Sequence, residues 1–399
     1  MLKVKRLVVC TVCAVGLSGS TYGATVSLPT FLEMGSITLD SLYSHYATDH
    51  PCLLREHYPF DSSFKADYLA DENAKKGNPY SYLWPYSGTL SAAKAMYDAT
   101  GERTYLTLIE RQVIPGLECY RDTLRNPVAF ASYIAEETPS DRFYDDNDWI
   151  GIDLTELYLN TGDPKYLEKA LEIWNFIESG KDSKLGGGIY WCEQKKYSKN
   201  TCSNAPAAVM AVRLFQATGD SLYLSQAQEL YGWTQENLCD PSDGLYFDNK
   251  KLNGHLGRMK YAYNSGQMLE AATLLYEATG HHDYLEDALQ IAENASRRFI
   301  NGATVTDGQG EFNLFTPGAI WFTSIMMRGF DELARVTGDP SYMDAFTRIM
   351  EYAWNSMRDP ATGLFNEDWT GIEKKDKKWL LTQTAMVEMY ARAAQYVNR

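Results

Sequence analysis

Apolar residues recur at three- and four-residue spacing in WIGIDLTELYLNTG (149–162), YLEKALEIWNFIES (166–179), PAAVMAVRLFQATG (206–219), GQMLEAATLLYEATG (266–280) and MVEMYARAAQYV (386–397). That period belongs to helices burying one face or more. Between the helical stretches one short element is written five times: YDATGERTYL (97–106), YLNTGDPKYL (158–167), FQATGDSLYL (215–224), YEATGHHDYL (276–285) and ARVTGDPSYM (334–343). Its threonines, Thr100, Thr161, Thr218, Thr279 and Thr337, lie 61, 57, 61 and 58 residues apart, each followed by Gly and, five positions on, by Tyr. A fixed period of this kind marks a repeat architecture.

Each copy reads as a tight helix–helix turn. Glycine ends a helix because it adopts the left-handed conformation cheaply. Asp163 and Asp339 can cap the next helix, with Pro164 and Pro340 in its first position, where a missing N–H costs little. Five such pairs, and a sixth from the terminal segments, predict an all-α fold, an (α/α)6 barrel of about six helical hairpins. An open superhelix is the rival, but its repeats run nearer 34 residues. In the closed ring the short TG turns share one end. The long connections 185–200, 243–266, 310–324 and 362–379, rich in Gly, Trp, Tyr, Phe, Asp and Asn, share the other. With no Pro/Gly/Ser linker in view, residues 24–399 are expected to form a single domain.

The first 23 residues stand apart. Lys3, Lys5 and Arg6 precede an apolar run from Leu7 to about Leu17, then small residues up to Gly23. This is the layout of a signal peptide, and the run is too short to span a bilayer. Export to the periplasm or beyond the cell is expected, with no membrane insertion and a monomeric chain. Cys10 and Cys13 fall in this leader; Cys52, Cys119, Cys192, Cys202 and Cys239 follow it, without metal-ligand spacing. In an oxidising compartment Cys192–Cys202 is a candidate pair closing one loop.

The formal charge is −15, and loss of the three leader cations takes it to −18. So acidic a chain is a poor partner for nucleic acid or anionic membrane. No HExxH pair and no GxxxxGK[ST] loop is present. The candidate chemistry is instead FYDDNDW (143–149), two consecutive aspartates at the start of a helix that runs down to a TG turn. They therefore fall on the loop end. The positive end of a helix favours ionised carboxylates, and repulsion between neighbours raises one pKa, so that one acid holds a proton while the other attacks. The alternative reading is a plain helix cap, with Asp148 in a solvated first turn. Around the pair, loop aromatics (Trp84, Tyr144, Trp149, Tyr190, Trp191, Tyr263 and Trp321) and amides (Asn204, Asn264 and Gln267) are the candidates for a carbohydrate cleft.

These residues carry a resemblance. Tyr144-Asp145-Asp146-Asn147-Asp148-Trp149 resembles the YDD-x-x-W element of glycoside hydrolase family 76, the endo-α-1,6-mannanases. LGGGIYW (185–191) is similar to its GGGIWW segment, Ser203-Asn204 to its Ser-Asn, and YNSGQMLEAATLLYEATG (263–280) to its Tyr-Asn-Gln-Gly stretch. The resemblance covers about residues 80–395. It implies the (α/α)6 barrel, cleavage of the α-1,6-linked backbone of fungal-type mannan with retention, no metal and no cofactor. By the same resemblance Asp145 is nucleophile and Asp146 acid/base. Departures from the family pattern are Ser265 in place of Gln, Thr316-Pro317-Gly318 in place of a Lys-Gly step, and Tyr-Trp-Cys closing the GGGIYW segment. The alternatives are another (α/α)6 glycosidase, such as an unsaturated uronyl hydrolase, or a mannan-binding barrel without catalysis.

Overall fold

A computed structural model describes residues 28–64, 66, 78–134 and 140–397; the leader lies outside them. Six helices of 18 residues are buried on nearly every side: α2 (Leu83–Thr100), α5 (Tyr144–Thr161), α7 (Thr201–Thr218), α9 (Ala262–Thr279), α11 (Ile320–Thr337) and α13 (Leu380–Val397). Each packs on the next, and α13 packs back on α2, so they close a ring. Amphipathic helices lie outside it. α6 (Pro164–Ser179) covers α5, α8 (Ser221–Leu238) covers α7, α10 (His282–Phe299) covers α9, and α12 (Ser341–Ser356) covers α11 and α13. Over α2 runs a broken helix: α3 (Arg103–Leu108), a π-helical turn (Ile109–Val113) and α4 (Ile114–Glu118). The sixth hairpin joins the two ends of the chain, with α1 (Phe31–His45) against α13. The (α/α)6 barrel expected from the repeat is what the chain forms.

The outer helices show why they stay outside. In α10, Ala288, Ile291, Ala292, Ala295 and Phe299 form one buried stripe, and the last turn carries Arg297 and Arg298 to solvent and to the negative helix end. The repeated TG step is also explained. Gly101, Gly162, Gly219, Gly280 and Gly338 all have φ of 67–71°. The threonine before each glycine donates its hydroxyl to the carbonyl four residues back, at 2.6–2.7 Å. It also accepts the N–H two residues on, at 3.0–3.3 Å. One side chain thus ties off a carbonyl and an amide that a helix end leaves unpaired. Asp163 caps α6 with Pro164 at its start, as expected. α12 begins one residue later than the repeat suggested, at Ser341, whose N–H Asp339 still accepts at 2.9 Å.

The Cys192–Cys202 pairing is not formed. Both thiols are free and buried: Cys192 turns toward Gln194, whereas Cys202 opens on the cleft described below. Among the described residues no helix is long and apolar enough to cross a membrane. Short antiparallel pairings occur only in the connections. The one that matters for the site is a three-stranded sheet of β1 (Ser198–Asn200), β2 (Asn249–Lys251) and β3 (Leu256–Gly257).

Inner helices α9 and α11 cross where both lack a side chain. A Cβ on Gly266 would lie 2.4 Å from the Met326 Cα, and one on Gly329 would lie 2.4 Å from the Gly266 carbonyl oxygen. Gly266→Ala is therefore expected to destabilise the fold by about 2 kcal/mol, because backbone rather than a movable side chain must give. Gly232→Ala in α8, whose added carbon meets nothing, should leave stability unchanged or raise it by up to about 1 kcal/mol through helix propensity. Thermal unfolding of the two variants checks this; equal shifts would show that the crossing is not tight. Alkylation under denaturing, non-reducing conditions should label Cys192 and Cys202 separately, and a disulfide-linked peptide between them would contradict the structure.

Candidate active site

The starts of the inner helices converge on one end of the ring. Trp84 of α2, Asp145, Asp146 and Trp149 of α5, Cys202 of α7, Tyr263 of α9, and Trp321 and Phe322 of α11 line a cavity of about 370 Å³. Five helix N-termini therefore surround this space, and their partial positive charge favours carboxylates there. The connections complete the wall with Tyr82, Phe143, Trp191, Tyr197, Ser198, Asn200, Asp248, Asn249, Lys251 and Tyr261.

The two aspartates stand in different surroundings. Asp145 accepts the indole N–H of Trp191 on Oδ2 at 3.1 Å and the backbone N–H of Asp146 on Oδ1 at 3.0 Å. Burial raises its pKa to about 6, held there by donors that include the Cys202 thiol. Asp146 is 9% exposed. Burial and the neighbouring Asp145 charge push it well above the carboxylate range. At neutral pH the arrangement holds one charged and one protonated carboxyl side by side. Asp148, read from sequence as a solvated charge if the pair were only a cap, is instead wholly buried, and burial raises it well above its usual value.

Trp191 reaches Asp145 because of the glycine run before it. Leu185, Gly186, Gly187 and Gly188 all have positive φ, and a Cβ on Gly188 would fall 2.6 Å from the Trp233 indole. The chain then straightens, and Asn204 holds it there. Asn204 accepts the Ile189 N–H at 2.6 Å and donates to the Ile189 carbonyl at 2.9 Å. On α5, Asn147 grips both backbone groups of Phe130 at 2.9 Å, and on α13 Gln383 grips those of Phe365 at 2.7 and 3.1 Å. Ser265 on α9 accepts one, from Tyr246, at 3.3 Å. All four occupy the fourth position of an inner helix.

Of the residues singled out in the sequence, Asp145, Asp146, Trp149, Trp191, Tyr263, Trp321 and Trp84 meet in the cavity. The others are placed elsewhere. Tyr144 is buried against Phe176, with ring centres 4.5 Å apart. Tyr190 donates to Asp182 at 2.7 Å under the Lys199 ammonium. Asn204 is used up on backbone. Asn264 is fully buried, and Gln267 donates to Glu270 at 2.6 Å beneath the cleft. Unforeseen were Asp248 and its strand neighbours Asn249 and Lys251. Asp248 is a third carboxylate in the cleft, raised by burial, and it accepts from the Asn249 amide at 2.6 Å. Its signal was present in the DGLYFDNKK loop, but only the pairing of β1 with β2 brings it to the acids' side of the ring.

Comparisons with known proteins bear on the family and the fold. The model of glycosyl hydrolase family 76 matches residues 59–398. A mannan endo-1,6-alpha-mannosidase from Candida glabrata is 29% identical over 150 residues, 35% of this chain and 33% of that protein. The chain spans between a third and a half of the length of the curated relatives it matches. Among solved structures, a family 76 glycoside hydrolase (mannosidase) from Bacteroides thetaiotaomicron VPI-5482 is 33% identical, with TM-score 0.82, over 92% of this chain and 100% of that one. An inactive variant of an alpha-1,6-mannanase of Salegentibacter sp. HEL1_6, in complex with alpha-1,6-mannotetrose, is 25% identical, with TM-score 0.73, over 92% and 100% of the two chains. With its family model matched over most of its length, the chain belongs to glycosyl hydrolase family 76.

Proposed function

We propose that the chain is a retaining endo-α-1,6-mannanase that cleaves the backbone of fungal-type mannan, with residues 24–399 as its single catalytic domain. The observation that carries the mechanism is the unequal pair: Asp145 with its N–H donors and, beside it, Asp146, whose carboxyl accepts no hydrogen bond among the described residues. Asp145 attacks the anomeric carbon while Asp146 protonates the leaving oxygen. Asp146, now ionised, then takes a proton from water, whose oxygen displaces Asp145 from the mannosyl-enzyme. Consecutive α-carbons lie about 3.8 Å apart, which suits the separation of about 5–5.5 Å that retention needs better than the about 6.5–9.5 Å of inversion. The inactive Salegentibacter mannanase carries alanine at two consecutive aspartates, and this chain has one Asp-Asp pair. The rings of Trp84, Trp149, Trp321 and Tyr263 suit the C–H faces of mannose, and Asp248 and Asn249 suit its hydroxyls. The leader supports export, where such a polysaccharide is met, and the chain is expected to act as a monomer.

Purified protein on unbranched α-1,6-mannan should release oligosaccharides of mixed length early, with the α-anomer formed first by NMR. Asp145→Ala and Asp146→Ala should each lower kcat by at least about 10³-fold with unfolding curves unchanged; full activity in either would remove that residue from the mechanism. The pH profile carries a second test. The reactive state needs Asp145 ionised, so activity falls as pH drops through its value of about 6. Trp191→Phe deletes a donor to the ionised form, which raises that pKa. The acidic limb of kcat/KM should therefore move to higher pH, by about half a unit to one unit, and a limb that stays put would mean that Asp145 is not the group titrating.

A further inference from the structure

Beside the catalytic cleft, on the same loop end, lies a second cavity of about 580 Å³ that no step of the proposed reaction uses. Trp369, Trp379, His57, Glu367, Glu373 and Lys375 line it. Only a thin wall parts it from the cleft. Trp379 meets Trp84 edge-on at 5.4 Å, and Trp84 belongs to the cleft. The turn Pro317–Ala319 borders this cavity and runs, one residue later, into Trp321 and Phe322 of the cleft.

The wall is rigid and aromatic. The Trp379 indole donates to Glu56 at 2.8 Å and lies nearly parallel to the His57 ring, 10° between planes at 6.4 Å. Burial lowers the His57 pKa to about 4, so this ring is neutral at neutral pH. Glu367 is bridged to Lys375 at 2.6 Å, while Glu373 stands exposed on the rim. Carboxylates outnumber the one ammonium, which disfavours an anionic ligand and suits a neutral polyol whose hydroxyls donate. Aromatic rings bordered by hydrogen-bond acceptors, here Trp379 with the edge of the 3% exposed Trp369, are the chemistry of a sugar site. Nearby, Ile372 is 85% exposed on the same loop, an apolar side chain that the fold itself does not bury.

We propose that this cavity is a second glycan-binding site, which takes an α-linked mannosyl unit of the same polymer whose backbone lies in the catalytic cleft. The proposal rests on the mannanase reading. It gives the enzyme a hold on long chains that short oligosaccharides cannot use. Two sources fit the chemistry, a further backbone unit or a side branch.

Gly318 offers a way to close the cavity. It lines the site, is exposed, and a Cβ there meets nothing within 4 Å. Gly318→Trp, and independently Ala303→Trp elsewhere on the rim, are placed in an Asp145→Asn/Asp146→Asn parent. They are then run through native gels containing unbranched or branched α-1,6-mannan. The same substitutions in the active enzyme are assayed on α-1,6-mannotetraose. Retardation by polymer should fall at least threefold, while kcat/KM on the tetrasaccharide stays within twofold of the parent. Loss with both polymers assigns a backbone unit; loss with branched mannan alone assigns a side branch. Unchanged retardation in both variants, or a parent that neither mannan retards, overturns the second site. An active enzyme that leaves mannotetraose intact sinks the mannanase reading instead, and the gels still decide the site.

Discussion

Six helices buried on every side can close into a ring only if the polar groups facing its axis satisfy one another. In this chain the charged groups at the plain end do so through ion pairs, to which every inner helix contributes. Lys94 of α2 reaches Glu156 of α5 at 2.6 Å, and Glu156 meets Arg213 of α7 at 3.0 Å. Arg213 pairs with Glu332 of α11 and approaches Glu270 of α9. Arg328 of α11 joins Asp153 of α5, at 3.3 Å, to Glu388 of α13, at 2.7 Å. Such pairs add little net stability over an apolar filling, but removing one partner leaves a buried charge at a cost of about 3–5 kcal/mol. The network therefore constrains which helix faces the axis more than it glues the ring together.

That constraint reaches the loop end. Asp153 lies eight residues after Asp145 on α5, about 12 Å along the axis at 1.5 Å per residue. Ser91 of α2 donates to the Asp153 carboxylate at 2.5 Å, and Arg328 holds its other oxygen. A rotation of α5 that moved the acid pair out of the cleft would carry Asp153 away from both partners. On α9, Gln267 bonds within its own helix to Glu270, whose pKa burial raises to about 7. Of the residues read from sequence as substrate contacts on that helix, Tyr263 lines the cleft, whereas Asn264 and Gln267 are buried beneath it.

The repeat made the ring legible because its signal is local. A Thr–Gly step serves the same carbonyl and amide in all five copies, so its spacing maps directly onto hairpins. The amide device was harder to see. Asn147, Asn204, Ser265 and Gln383 all sit at the fourth position of an inner helix and grip an incoming loop, but residue type and grip vary among them. Without that register, Asn204 and Asn147 look like sugar-binding amides or a helix turn. The Ser265 departure from the family pattern falls at this same position, and the short hydroxyl holds one backbone group where Asn and Gln hold two. Asp248 was out of reach for the opposite reason: its place depends on strand register between two loops about fifty residues apart.

The acid pair gains much of its asymmetry from this framework and only part from the dipeptide. Both aspartates share one helix mouth and one set of helix dipoles, so those terms cannot tell them apart. What distinguishes them is the set of donors to Asp145: the Cys202 thiol, the Asp146 N–H and the Trp191 indole, the last delivered by four left-handed residues and fixed by Asn204 through Ile189. A donor aimed at Asp145 alone stabilises its charge, and that charge in turn keeps the proton on Asp146. The glycine run is therefore chemical as well as structural. A side chain at Gly188 would strike Trp233, shift the segment that carries Trp191, and weaken the difference between the two carboxyls on which the proposed nucleophile and acid depend.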